Sequence, residues 1–243
     1  MSAKISDIRP GFKFRTNLSE IMDDHDLTGD ILRAELDNLD TINRLLGGRG
    51  VVLDGIKKAL KKIHNRPVNI ADLGCGGGDI LRVIAKWAAK EGVSVRLYGI
   101  DINETCILYA REKSSDYPEI TFLQADSFSE DMPDRSYDIV ICSLFLHHFS
   151  DTQLPQIFRH LLRISRSAVI VNDLQRHWLP FFLFRILTGV LRAPFVVRHD
   201  GLISIMRGFT RKELDDWMKV LNPKAWSIRW KWAFRYQLVF YRS

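Results

Sequence analysis

The sequence predicts an α/β protein: a doubly wound, seven-stranded, mostly parallel sheet with an antiparallel last strand. An N-terminal helical cap precedes the sheet, and a helical lid is inserted after strand five. Three observations carry this. From residue 68, short apolar strands alternate with amphipathic helices, the pattern of a parallel sheet covered on both faces. Residues 17–64 repeat apolar side chains at three- and four-residue steps, a helical period throughout. The chain closes with two adjacent strand-like runs, a hairpin that inserts one antiparallel strand at the sheet edge.

In the leader, Leu32, Leu36, Leu39, Ile42, Leu45 and Leu46 form one helical face, and Gly47-Gly48 stop that helix. VLDGIKKALKKI (52–63) is a second helix, apolar on one side and lysine-rich on the other. Pro67 ends the leader, so a cap over 1–66 is expected to precede a main domain over 67–243. VNIADL (68–73) is a strand, GDILRVIAKWAAK (78–90) a helix, VSVRLYGID (93–101) a strand and NETCILYAREKSS (103–115) a helix. ITFLQAD (120–126), YDIVICSLF (137–145) and SAVIVND (167–173) are further strands, with the helix TQLPQIFRHLLRIS (152–165) between the last two.

WLPFFLFRILTGVLRAPFVV (178–197) has the length of a membrane span, which takes about 20 apolar residues. Arg185 and Arg192 argue against one, because each costs about 2.5–3.5 kcal/mol at a bilayer centre. Pro180 and Pro194 bound the helix. From Phe181 to Arg192, the positions Arg185, Thr188, Gly189 and Arg192 share one face and the opposite face is apolar. This is an amphipathic helix in a lid insertion covering about 176–209. TRKELDDWMKVL (210–221) is a helix with Thr210 as N-cap and Glu213 completing a capping box. AWSIRWKW (225–232) and FRYQLVFYR (234–242) form the closing hairpin.

The 243 residues are 46% hydrophobic and 26% charged, an ordinary soluble composition. Cys75, Cys106 and Cys142 are odd in number and far apart, so neither a disulfide framework nor a zinc knuckle is suggested, and a reducing cytosol is the simplest home. MSAKISDIRPGFKF has no apolar run, so no secretory signal and a cytoplasmic location are expected. Charge is uneven: residues 176–243 hold 13 Lys and Arg against 4 Asp and Glu, whereas residues 1–175 hold 22 against 25. A basic part can face nucleic acid, an anionic membrane or an acidic substrate, or simply be solvated.

Between the first strand and its helix lies ADLGCGGGD (71–79). Ligands of doubly wound sheets bind at such turns. A dinucleotide fingerprint, G-x-G-x-x-G, fails because Asp79 stands where the third glycine belongs. A P-loop fails because no Lys-Ser or Lys-Thr follows. The spacing present is D-x-G-x-G-x-G, carried by Asp72, Gly74, Gly76 and Gly78.

That spacing resembles motif I of class I methyltransferases, which bind S-adenosyl-L-methionine, and the resemblance covers roughly residues 68–173. It implies that Asp72 orients the loop, with Gly74, Cys75, Gly76 and Gly78, around the methionine end of the cofactor. Asp101 in YGIDIN matches the acid that chelates both ribose hydroxyls, and Ile102 would pack on the adenine. In LQADSF, Asp126 matches the acceptor of the adenine amino group, flanked by Ala125 and Ser127. YDIVICSLFLHHF resembles motif IV, which puts Cys142 and Ser143 beside the sulfonium. The physics agrees: a carboxylate accepts two ribose O–H bonds at once, and acids suit a cationic ligand better than a pyrophosphate. Taken singly, Asp101 also reads as a helix N-cap and Asp126 as a turn residue. ELDNLDTINRLLGG (35–48), SLFLHHF (143–149), VNDLQRHWLP (171–180) and RHDGLISIMRGFT (198–210) resemble a narrower bacterial group of small-molecule methyltransferases akin to those of quinone and polyketide biosynthesis.

Cys142-Ser143-Leu144-Phe145 stands where nucleobase amino-methyltransferases carry [DNS]-P-P-[YF], which disfavours nucleic acid as substrate. Methylation of an oxygen or carbon of a lipophilic or aromatic small molecule is therefore expected. His147 and His148 follow the fourth strand at the mouth of the site and can act as base or position the substrate. Packing on the cofactor and capping the next helix are equally simple roles for them. Asp173 ends the fifth strand at the site's edge. Asn172-Asp173 lacks the further acids of a catechol-type metal site, so no metal is expected. The resemblance places His199 and Asp200 in a loop near the substrate, against the plainer reading of a surface turn, and Arg207 and Trp178 complete the expected substrate set. The lid reads first as a greasy roof, second as core packing and third as a peripheral contact with an anionic membrane, which Trp178 and the arginines suit. A cofactor-binding regulatory protein without turnover and an RNA-directed methyltransferase stay open as alternatives.

Overall fold

The computed structural model describes residues 5, 8–23, 29–63 and 67–242, apart from the side chains of Asp30, Ile31, Leu39 and Leu45. The helical reading of 24–28 and 64–66, and the Leu39 and Leu45 positions on the leader's apolar face, lie outside the described residues.

Seven strands form one sheet: β1 (Val68–Leu73), β2 (Val95–Asp101), β3 (Ile120–Gln124), β4 (Tyr137–Ser143), β5 (Ser165–Leu174), β6 (Ala225–Lys231) and β7 (Arg235–Tyr241). Their order is β3-β2-β1-β4-β5-β7-β6. The first five are parallel, and β7 runs antiparallel to both β5 and β6. The order reverses between β1 and β4, which leaves a crevice at their C-terminal ends.

Period-two burial makes the layers. Ile70, Leu97, Ile139, Ile141 and Ile170 face a core shared with α2 (Gly48–Leu60), α3 (Asp79–Glu91) and α4 (Glu104–Lys113). Ala71, Leu73, Val140, Cys142, Val169 and Leu238 face the other way, onto α5 (Leu154–Ile164) and α8 (Arg211–Leu221). Val52, Ile56 and Ala59 of α2 are buried in the sheet's own core, so the boundary expected near residue 66 falls between elements that share one core. The element that overlies the site is α1 (Gly29–Leu45), whose Leu32 and Leu36 pack on Cys106 and Tyr109 of α4. Gly47 breaks α1 from α2 at φ 71°, and the Thr210–Glu213 capping box opens α8.

Three elements depart from the expectation. Residues 17–20 are irregular and Ile21–Asp23 is a single 3-10 turn in place of an α-helix. The Asp200 carboxylate accepts the backbone N–H groups of Ile21 and Met22 at 2.8 and 3.0 Å, and Asp23 accepts that of Glu20 at 3.0 Å. These side chains satisfy the donors that a helix would have paired. The expected loop around His199 and Asp200 is helix α7 (Phe195–Arg207), with Leu202, Ile203 and Met206 in its buried face. The polar residues His199, Asp200 and Ser204 are buried on the same helix and interrupt its apolar period. Finally, α6 (Trp178–Val190) is turned over relative to its amphipathic pattern. Pro180, Phe181 and Thr188 face inward, while Phe182, Ile186 and Val190 are exposed. Thr188 is buried at no polar cost because its hydroxyl donates to the Phe184 carbonyl at 2.7 Å. The α6–α7 crossing is close because Gly201 has no side chain: a Cβ there would lie 2.4 Å from the Phe184 ring. No helix among the described residues is long and apolar enough to cross a membrane.

Candidate functional site

The strand ends, α1 and the α6–α7 hairpin enclose a cavity of about 820 Å³, inside the range of small-molecule sites. Its floor is the glycine loop. Gly74 has φ 67°, and a Cβ on it would lie 2.4 Å from the Phe145 ring, so only glycine lets the loop pass beneath that ring. The backbone N–H groups of Gly74 and Cys75 donate to the Ile100 carbonyl at 2.9 and 3.2 Å, tying the loop to β2. Asp101 ends β2 with both carboxylate oxygens fixed: one accepts from Gly76 N–H at 2.9 Å, the other from Asn103 N–H at 3.0 Å. A carboxylate so placed can accept hydroxyl groups of a ligand. Asp101, Ile102, Asp126 and Ser127 all line the cavity, and Ile102 is 53% exposed there. Asp126 accepts from Phe128 N–H at 2.9 Å, which sets its turn.

Behind the loop, Asp72 is 2% exposed and its Oδ1 has no partner among the described residues. Burial, together with the charges of Asp79 and Asp101, raises its carboxyl well above the usual range. A buried carboxyl oxygen without a partner among the described residues, beside the glycine loop and Asp101, fits the cationic adenosyl ligand that the motif implies. Cys75, Gly76 and Ser143 also line the cavity. Gly78, Ala125 and Cys142 do not. Gly78 turns the chain into α3 at φ 71° against Phe122, and Cys142 points into the α5 core, fully buried.

The opposite wall is a network of histidines and acids. His147 and His148 sit on a 3-10 turn after β4 and line the cavity. Asp173 lies behind His147: its Oδ1 is 2.7 Å from the ring Nδ1, and its Oδ2 accepts the His147 backbone N–H at 3.2 Å. Burial pushes the Asp173 carboxyl up. The His147 charge and hydrogen bond, with the Leu174 N–H, outweigh that and hold it below its ordinary value. When the ring is neutral, an ionised Asp173 keeps its proton on Nδ1 and leaves Nε2 free to accept one.

Glu20, on the strap that precedes α1, reaches this Nε2 at 3.6 Å. Burial raises Glu20 to about 7. His148 Nδ1 lies 2.6 Å from Asp23, which Arg207 also pairs, and Arg207 donates to the His148 carbonyl at 2.8 Å. Arg15 completes the brace with bonds to the carbonyls of Arg207 and His147 at 2.6 and 2.8 Å.

The structure thus brings His147, His148, Asp173 and Arg207 together. It does not bring His199 or Trp178 to the wall. His199 is buried against Asp200 at 2.7 Å, and Trp178 lies 53% exposed on the outer surface of α6. Sequence reasoning missed Glu20, Asp23 and Arg235, which all line the cavity. The run EIMDD (20–24) was an available signal, since acids so dense fit a helix's apolar face poorly. Glu20, His147 and His148 also place one donor atom each within 4.8 Å of the others, a spacing that a metal ion could use. Arg207 Nη1 stands 3.7 Å from the same Glu20 oxygen and competes with such an ion by charge.

Residues 70–168 match the family model described as a methyltransferase domain. A 2-phytyl-1,4-naphtoquinone methyltransferase of Thermosynechococcus vestitus is 29% identical over 103 residues, covering 41% of this chain and 44% of that protein. A ubiquinone/menaquinone biosynthesis C-methyltransferase of Rickettsia bellii is 30% identical over 141 residues, covering 54% of this chain and 57% of that protein. The chain thus spans about half the length of the curated relatives it matches. Among solved structures, the plantazolicin methyltransferase BpumL in complex with SAH superposes with a TM-score of 0.61 at 16% identity, covering 87% of this chain and 89% of that one.

Proposed function

We propose, of a chain that belongs to the class I S-adenosylmethionine-dependent methyltransferases, that it methylates an oxygen or activated carbon of a hydrophobic small molecule, phenolic or quinone-like. The observation that carries the reading is the His147–Asp173 pair at 2.7 Å on the wall of the cavity whose floor is the cofactor loop.

When bound, the cofactor supplies a methyl group on a sulfonium, open to in-line displacement. The chain's own residues do the rest. Asp101 and the Gly74–Gly76 backbone position the nucleoside, and Asp72 faces the loop with an unpaired oxygen. His147 Nε2 takes the proton of a phenol or carbon acid, while Asp173 holds the ring by Nδ1 and stabilises the imidazolium that forms. Leu183, Phe184, Leu187, Val196 and Val197 line the cavity on the α6–α7 side, where they exclude water and suit an apolar substrate. Two relatives named for quinone methylation support that substrate class.

The direct test is a mass-spectrometric assay of methyl transfer to prenylated hydroquinones, phenols and aryl acids. Product with at least one class supports the reading. Tight cofactor binding with no product across all classes favours a regulatory protein without turnover.

The exposed side of α6 favours a second reading for the partner. Phe182, Ile186, Val190 and Leu191 are exposed beside Arg185 and Arg192, and no acid occurs from residue 174 to 199. Such a face suits an anionic bilayer, from which a lipophilic substrate would enter. Co-sedimentation with phosphatidylglycerol vesicles tests it, and a protein that stays in the supernatant at low salt would refute it.

A further inference from the structure

One buried charge on the cavity wall is not used by this mechanism. Arg235, the first residue of β7, is 2% exposed and lines the cavity beside Trp232 and Asn43. Its Nε and Nη1 have no hydrogen-bond partner among the described residues. Among the described residues, Nη2 has a single donor bond, 3.3 Å to Asn43 Oδ1. Asp173 and Asp79 act on it only through space, and burial pushes the guanidinium down to about 10. A fork of donors left unpaired in a low-dielectric wall is expensive, and the partner that matches it is a carboxylate.

A second feature converges on the same point. Helix α2, 13 residues long, begins at Gly48, and its N-cap Gly47 supplies no side-chain cap; none is seen among the described residues. A Cβ on Gly48 would lie 2.9 Å from Arg235 Nη1, so the guanidinium rests directly on the helix N-terminus. The positive end of a helix normally repels a cation, and a shared anion resolves that conflict.

We propose that Arg235, with the open N-terminus of α2, is a carboxylate-binding site in the cavity wall. This deepens the methyltransferase reading and rests on it for the candidate ligands. The carboxylate has two sources: the amino-acid end of the cofactor, or an acid group on the substrate.

Calorimetry on the full chain separates them, with wild type, Arg235→Gln and Arg235→Lys. The cofactor probes are S-adenosylhomocysteine and 5′-methylthioadenosine, the same nucleoside sulfide without the amino acid. The substrate probes are 2-naphthoate and 2-naphthamide, titrated with and without S-adenosylhomocysteine. If the cofactor is the source, Arg235→Gln weakens S-adenosylhomocysteine at least tenfold and leaves 5′-methylthioadenosine unchanged. If the substrate is the source, it abolishes naphthoate binding and leaves naphthamide and both nucleosides unchanged. Arg235→Lys, which keeps the charge and loses the fork, falls between wild type and Arg235→Gln.

Either pattern supports the site, and unchanged affinities for all four probes overturn it. The ligand-free melting temperature is the structural control: removing an unpaired buried charge leaves it equal or raises it. A lowered melting temperature with all affinities reduced alike would make Arg235 a packing residue and overturn the proposal. Failure of both nucleosides to bind wild type would instead refute the adenosyl reading, while the naphthoate pair would still test Arg235.

Discussion

Glu20→Gln is expected to change how stability depends on pH. Glu20 is 8% exposed, and its Oε1 has no hydrogen-bond partner among the described residues. Burial, helped by the Asp23 charge, outweighs His148, Ser204 and Arg207 and lifts its carboxyl from an ordinary 4.5 to about 7. The folded chain therefore holds a proton that the unfolded chain releases near pH 4.5. Between those values the folded state binds one more proton, so stability falls as pH rises. At about 1.4 kcal/mol per pH unit, the loss accumulates to about 3 kcal/mol by pH 8. Asp23 is buried too, but its bonds to His148 and Arg207 hold its carboxyl low, so it titrates only at more acid pH and leaves this window flat. Glutamine keeps the shape and cannot ionise. Urea unfolding at pH 5, 6, 7 and 8 should show the variant gaining on wild type as pH rises, by up to about 3 kcal/mol at pH 8. A stability difference that stays constant from pH 5 to 8, or that moves against the variant, would show that Glu20 does not hold the extra proton.

His147→Ala is expected to lower kcat by about 10²–10⁴ with cofactor affinity unchanged, and Asp173→Asn to lower it less; steady-state kinetics beside calorimetry decide, and full turnover in His147→Ala would exclude the base. Gly201→Ala drives a Cβ to 2.4 Å from the Phe184 ring and is expected to cost about 1–3 kcal/mol in a thermal melt, with Phe184→Leu restoring part of it. Prolonged dialysis against a chelator is expected to leave turnover intact, because proton transfer at His147 needs no ion. Loss of activity that zinc or magnesium restores would transfer Glu20, His147 and His148 to a metal site.

The glycine-loop end of the cavity was legible because its signals are local. Asp72, Gly74, Gly76 and Gly78 lie within seven residues, and Asp101 and Asp126 each follow an apolar strand directly. The strand period places them at one sheet edge without any knowledge of long-range packing. The histidine wall opposite was less legible because it is assembled from distant pieces. Glu20 and Asp23 meet His147, His148 and Arg207 across more than a hundred residues, and Arg235 meets Asn43 across 192. Helix α7 was hidden by its buried His199, Asp200 and Ser204, whose polarity breaks the apolar period. The composition of α6 identified a helix. Its orientation depends on Gly201 admitting Phe184, and on Thr188 satisfying its hydroxyl within its own helix.

On the proposed function, ADLGCGGGD and Asp101 hold an adenosyl sulfonium. Isothermal titration of wild type and Asp101→Ala with S-adenosylmethionine and S-adenosylhomocysteine tests it most directly. Micromolar binding of both ligands to wild type is expected. Asp101→Ala is expected to lose about 1–3 kcal/mol, since on this reading that carboxylate supplies the acceptors for the ribose. Absence of binding to wild type, or equal affinity in Asp101→Ala, would contradict it.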